Sequence, residues 1–109
     1  MKDRKLERTI TDITINQLTT YQLIPSGILE NSVIEQMQID NRSATVDLKL
    51  YYNGSSEHVD VVPAGTSRII QRPFSWVAIE NLDGSNKINA GDLIITLYNY
   101  LLTGVRDIE

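Results

Sequence analysis

An alternation with a period of two, across residues 44–63, constrains this chain more than any other feature of its sequence. One set of side chains would face one side of an extended strand: Val46, Leu48, Leu50 and Tyr52. The intervening set would face the other side: Thr45, Asp47, Lys49 and Tyr51. This period is typical of a half-buried strand. Asn53 and Gly54 tolerate positive φ at low cost, and an extended run over residues 58–62 follows them, so the stretch predicts a β-hairpin.

Other segments have the same extended character and are divided by turn-forming residues. They cover residues 7–15, 18–24, 33–41, 67–72, 75–82 and 92–102. About seven or eight short strands with turns between them predict an all-β chain folded as a single antiparallel β-sandwich. Jelly-roll-like and immunoglobulin-like topologies are both possible, and the absence of a cysteine pair around a core Trp favours the jelly roll.

The last extended run, residues 93–102, is apolar on both sides. The segment Ile94-Ile95-Thr96 favours a strand over a helix because β-branched residues are enriched in strands. We expect this strand to be central in its sheet or covered by a second subunit, since a flat apolar edge invites aggregation. A homo-oligomer is therefore expected.

A chain of 109 residues is long enough for one sandwich core. Charges of both signs alternate near the start, which predicts a flexible N-terminal arm over residues 1–8 and a sandwich domain over residues 9–109. The net charge of −4 argues against nucleic acid as a partner. The longest apolar run is about half the length of a bilayer-spanning helix, which argues against a membrane.

The inventory of reactive side chains predicts a non-enzymatic protein with no catalytic residues. His58 is the single histidine and there is no cysteine, so a metal site with two His ligands or a Cys–His pair cannot form within one chain. A cupin-type jelly-roll enzyme would need two or three His. The chain has many Asp and Glu, but no pair stands out as glycosidase-like.

Residues 81–92 have the one spacing that suggests a metal. Aligned on a twelve-residue calcium loop, this segment resembles a dockerin loop, with side-chain oxygens from Asn81, Asp83, Ser85, Asn89 and Asp92. It departs from that pattern in having Asn at the first position and Asn86 where the turn wants Gly. Two carboxylates would give a low affinity, and a polar loop of turn-forming residues is the alternative. No other cofactor is expected.

Four aromatic residues are the candidates for a binding or subunit surface: Trp76, Tyr51, Tyr98 and Tyr100. If Val77 and Ile79 face the core, Trp76 faces outward, where it could serve as a sugar platform or a subunit contact. Burial of both faces of that strand is the alternative.

The segments VDLKLYYNG and VDVVPAGTSRIIQRPFSWVAIENL, within residues 46–82, resemble small all-β virion proteins of tailed bacteriophages. The resemblance lies in short Thr, Ile and Val strands, Pro-Ala-Gly turns and the lack of cysteine. It implies a homo-oligomeric capsid decoration, fibre or tail protein that binds a capsid lattice, another virion protein or a host glycan. It also implies a location in the virion, and in the cytoplasm before assembly. A monomeric carbohydrate-binding module is the alternative function.

Overall fold

The structure is a computed structural model that describes residues 6–24, 34–53 and 59–100. These residues form eight β-strands: β1 (Glu7–Ile10), β2 (Thr20–Leu23), β3 (Gln36–Asn41), β4 (Leu48–Tyr52), β5 (Val59–Val62), β6 (Ser67–Ile70), β7 (Val77–Asn81) and β8 (Leu93–Tyr98). Nowhere in this part of the chain is there a helix with the length and apolar character needed to cross a membrane.

The strands form two antiparallel sheets of four, in the orders β1-β8-β3-β6 and β2-β7-β4-β5. The pairing is nested, since β1 pairs with β8, β2 with β7, β3 with β6 and β4 with β5. The chain is thus one long hairpin with β4 and β5 at its tip. Rolling this hairpin adds the β3–β8 and β4–β7 pairs. The result is the jelly-roll order, which confirms the predicted sandwich.

The core lies between the two sheets, and alternation along the strands fills it. Each strand turns every second side chain inward, and the largest contributions come from inner strands. Fully buried residues of these strands include Met37, Ile39, Leu48, Leu50, Val77, Ile79, Leu93, Ile95 and Leu97. Burial of such a side chain stabilises the fold by about 1.5–3 kcal/mol.

The predicted hairpin is present as β4 and β5, which pair from Leu48 opposite Val62 to Tyr51 opposite Val59. Asn53 has a positive φ of 54°, the backbone conformation expected of it in the turn. Residues 54–58, which include His58, lie outside the described residues. The turn after β5 is closed by the Thr66 amide, which donates to the Pro63 carbonyl at 3.2 Å.

Strand β8, which contains most of the last apolar run, is central in its sheet. This is one of the two positions expected from the sequence. It lies between β1 and β3 and buries Leu93, Ile95 and Leu97 in the core. Both of its edges are therefore paired within the same chain, so this apolar strand is not an exposed sheet edge. Residues 101–102 of that run lie outside the described part.

The start of the chain is described from residue 6 onward. Residues 1–5 of the predicted arm lie outside the described part, and Glu7 and Arg8 are the first residues of β1, an edge strand. Strict alternation along residues 33–41 would put Ile34 on the same side as the exposed Gln38, yet Ile34 is buried. It is buried because it forms a β-bridge with Phe74 before β3 begins.

Strand β3 ends at Asn41, whose side chain is fully buried and makes three hydrogen bonds. Its Nδ2 donates to the carbonyls of Val46 at 2.8 Å and Val62 at 3.1 Å, and its Oδ1 accepts from the Ser43 amide at 3.1 Å. The bonds satisfy backbone groups that water cannot reach. We call this arrangement, an Asn at a strand end with the turn that follows, an asparagine corner.

Candidate functional site

The outward side of the sheet β2-β7-β4-β5 has an aromatic and apolar surface. The register places its side chains in rows across the four strands, because directly opposed residues share a face. We call this surface the tryptophan face. It comprises Thr20, Gln22 and Ile24, then Trp76, Ala78 and Glu80, then Lys49 and Tyr51, then Val59 and Val61.

Trp76 lies just before β7 and is half-buried. Its carbonyl accepts from the Asn53 amide at 2.8 Å, which extends the β4–β7 ladder by one residue. Val77 next to it is fully buried, so alternation places Trp76 on the outward side with Ala78. The β2–β7 register, continued by one residue, puts Ile24 opposite Trp76, and Ile24 is 55% exposed. Trp76 thus has an exposed apolar neighbour at the end of the face.

Tyr51 lies on the same face, opposite Ala78. Its hydroxyl donates to the Glu80 carboxylate at 2.7 Å, and the Lys49 ammonium lies 5.2 Å from its ring centroid. The hydrogen bond to Glu80 raises the pKa of Tyr51, and desolvation adds to this. Tyr51 therefore stays neutral, and its hydrogen bond to Glu80 fixes the position of its ring on this face.

Tyr98 and Tyr100 are placed elsewhere. Tyr98 lies in β8, which belongs to the sheet that does not carry the tryptophan face, and its neighbours across the strands are Glu7 and Gln36. The Tyr98 ring contacts the Tyr100 ring edge-on, with centroids 5.6 Å apart. Tyr98 is mostly buried, and desolvation, followed by the Glu7 charge, raises its pKa. The four predicted aromatic residues are thus two pairs on different sheets, and Trp76 and Tyr51 alone share the tryptophan face.

The segment predicted as a calcium loop begins with a second asparagine corner. Asn81 at the end of β7 is fully buried, and its Nδ2 donates to the carbonyls of Ile15 at 3.2 Å and Asn86 at 3.0 Å. Its Oδ1 accepts from the Asp83 amide at 2.7 Å. The oxygen proposed as the first metal ligand therefore points into the protein and already has a donor.

The two carboxylates of this loop also accept backbone hydrogen bonds. Asp83 Oδ1 accepts from the amides of Ser85 at 2.6 Å and Asn86 at 2.8 Å, and these bonds lower the pKa of Asp83. Asp92 Oδ2 accepts from the Asn89 amide at 3.0 Å. Each carboxylate closes its own turn. Across residues 6–24, 34–53 and 59–100, no group of three or more metal-ligating acidic or His side chains occurs.

A small open pocket lies at the end of the sandwich beyond β4 and β6. It has a volume of about 390 Å³ and is lined by Tyr52, Asn53, Arg72 and Pro73. We call it the Tyr52 pocket. The Arg72 guanidinium lies 4.9 Å from the Tyr52 ring centroid, a cation–π distance. Sequence reasoning did not predict this pocket, since its residues come from the ends of two separate runs.

A hydrogen-bonded pair next to this pocket closes the open side of the sandwich. Asp60 on β5 and Arg68 on β6 face inward from edge strands of opposite sheets and form a salt bridge at 3.2 Å. The Tyr52 hydroxyl donates to Asp60 at 2.7 Å, and desolvation together with this bond raises the pKa of Tyr52. The sequence held a signal for the pair, because Asp60 and Arg68 are in phase with the core residues Val62 and Ile70.

Comparison of the chain with protein-family models, with curated proteins and with solved structures found no match in any of the three. Assignment of a role therefore depends on the surfaces described above.

Proposed function

We propose that the protein is a non-enzymatic structural component that assembles with copies of itself through the tryptophan face. The distribution of exposed apolar side chains supports this most directly. Of the five large ones among the described residues, Ile24 and Val61 lie on that face, and Leu18 and Leu82 adjoin it at the end near Thr20. Four of the five therefore lie on or beside one sheet face, which supports a protein contact surface there.

The shape and charge of the tryptophan face suit a second copy of the same surface. A sheet face is flat, and this one presents a fixed Tyr51 and a half-buried Trp76 rather than a cleft. Lys49 and Glu80 contribute one charge of each sign, so two copies can meet without net repulsion. Aromatic side chains of this kind often dominate the energy of interfaces.

We propose that the assembly belongs to a virion, as a capsid decoration or as a fibre or tail part. The support is the resemblance of residues 46–82 to small virion proteins of tailed phages. The jelly roll agrees with this, since it builds many viral capsid domains, but it also builds lectin domains. On this proposal the chain would meet a capsid or other virion protein, and would be cytoplasmic before assembly.

The test is the solution mass by size exclusion with light scattering over a range of protein concentrations. We expect the wild type to form a closed oligomer. Val61→Lys, on the face, should weaken assembly at least about tenfold because it buries an unpaired charge in the contact. Ile69→Lys is the matched control, since Ile69 is also exposed on an edge strand but belongs to the other sheet.

Two results would contradict this proposal. One is a wild type that stays monomeric at the highest concentration. The other is an Ile69→Lys variant that dissociates as readily as Val61→Lys.

A monomeric carbohydrate-binding module is the second candidate, and the observation that favours it is Trp76 beside Tyr51 on one open face. Sugars stack on such aromatic platforms. A glycan array with the wild type and Trp76→Ala separates the two functions. Sugar binding that Trp76→Ala abolishes, together with a monomeric wild type, would favour the module.

A further inference from the structure

The lining of the Tyr52 pocket is mainly apolar, and the polar side-chain groups that it presents are mainly hydrogen-bond donors. Asn53 Oδ1 accepts from the amides of Ser75 at 2.9 Å and Trp76 at 3.4 Å. The acceptor of this side chain is therefore occupied, and its Nδ2 group remains as a donor.

Arg72 adds the charged donors of the pocket. Its guanidinium lies over the Tyr52 ring, and no carboxylate among the described residues is within ion-pair distance of it. A stacked guanidinium keeps its N–H groups at its edge, where they can bind two oxygens at once.

Among the described residues, no neighbouring charge neutralises Arg72. Asp60 faces this end of the sandwich, but it already accepts from Arg68 at 3.2 Å and from the Tyr52 hydroxyl at 2.7 Å. The hydroxyl proton of Tyr52 is thus directed to Asp60 and away from the pocket. The part of the lining that the structure describes thus presents one positive charge and one amide donor, beside the apolar ring of Pro73.

We infer that the Tyr52 pocket binds a ligand carboxylate, with Arg72 as the bidentate donor and Asn53 Nδ2 as a second donor. The volume of about 390 Å³ is within the range of small-ligand sites and holds a single sugar acid or the last residue of a peptide. A carboxylate fits better than a phosphate, because one guanidinium matches its charge and its planar pair of oxygens. This site adjoins the tryptophan face, since Asn53 is hydrogen-bonded to Trp76. None of the four lining residues belongs to that face, so binding of a carboxylate does not require the proposed assembly.

The test is a titration of the ¹⁵N-labelled protein, with the Asn53 side-chain amide and the Arg72 Nε–Hε signal as reporters. The probes are D-glucuronate, N-acetylglycine and D-glucose. We expect saturable shifts of both reporters with a carboxylate probe and none with glucose, which differs from glucuronate by the carboxylate. The tighter of the two carboxylates would identify a sugar acid or a peptide terminus as the source.

Substitutions at Arg72 complete the test, with the Asn53 amide as their reporter. Arg72→Gln should weaken binding at least about tenfold, since a charge-assisted hydrogen bond is lost. Arg72→Lys, which keeps the charge without the fork, covers the case in which the Gln variant does not fold and should also bind more weakly. Arg42→Gln is the control, because Arg42 pairs with Asp40 at the opposite end of β3 and its loss should leave binding unchanged.

Three outcomes would overturn the inference. These are shifts with glucose equal to those with glucuronate, the absence of shifts with both carboxylates, and undiminished binding in the Arg72 variants.

Discussion

The corner after β3 and the corner after β7 share a buried Asn and differ in the side chain two residues later. Asn41 and Asn81 each donate two hydrogen bonds through Nδ2 and accept one through Oδ1. The next acceptor is the hydroxyl of Ser43 in one corner and the carboxylate of Asp83 in the other, and each takes two backbone amides.

The difference follows from where the two turns lie. Ser43 is buried, and one of its donors is the amide of the fully buried Val46. Asp83 is half-exposed, and its donors Ser85 and Asn86 are exposed. Desolvation of a carboxylate would cost much free energy at the buried position of Ser43 and little at the half-exposed position of Asp83. The same hydrogen-bond scheme can thus be completed by a neutral or a charged acceptor, according to its access to water.

The largest expected effect on stability comes from removing the buried Asn side chain that the two corners share. Asn41→Ala and Asn81→Ala should each lower the free energy of unfolding by about 2–4 kcal/mol, because buried backbone groups lose their partners. Urea unfolding followed by fluorescence would measure this. Asn89→Ala is the control, since the Asn89 side chain is exposed and should contribute little. A loss at either corner no larger than that of the control would contradict the comparison.

A smaller difference in unfolding free energy should distinguish Ser43 from Asp83, the residues two positions after each Asn. Ser43→Ala should cost about 1–2 kcal/mol, because the Val46 amide loses an acceptor where water has little access. Asp83→Ala should cost less than this, since its two amide donors can turn to water. The same urea experiment compares them. Equal losses would show that burial does not distinguish the corners.

The smallest effect is a pH dependence confined to the second corner. Hydrogen bonds hold the pKa of Asp83 below its usual 3.8, so its contribution is present above that pH and is lost as pH falls through the lower folded-state value. Thermal melts of the wild type should therefore fall on acidification more steeply than those of Asp83→Asn, which keeps the Oδ1 acceptor without the charge. Ser43→Ala should leave the acid slope as in the wild type. A common slope for Asp83→Asn and the wild type would refute this assignment.

The sequence predicted strands well where one face is buried and the other is not. Alternation alone gave the directions of Leu48, Leu50 and Tyr52, and all three are buried. It was less informative for Ile34, because a single β-bridge to Phe74 binds that residue to a distant part of the chain.

The candidate surfaces were only partly predictable for the same reason. The outward position of Trp76 follows from its neighbour Val77, a local pattern. The Tyr52 pocket needed the three-dimensional arrangement, since Tyr52 and Arg72 are distant in sequence and meet where β4 and β6 end. The buried role of Asn81 was also hidden, because its partner Ile15 comes from near the start of the chain. The spacing of the loop suggested Asn81 as a metal ligand, whereas in the structure its side-chain amide forms hydrogen bonds that join three segments of backbone.

The nested strand pairing also determines the order in which the sheets can be completed during synthesis. Of the eight described strands, β1 is made first, yet its one neighbour in the sheet is β8, which is made last. The tip hairpin of β4 and β5 can pair early, while the first sheet remains two separate pieces until β8 inserts between β1 and β3. A nascent chain must therefore keep β1 unpaired until β8 has been made. Folding of the sandwich in vitro should be slow, because the contacts that close the first sheet join residues far apart in sequence.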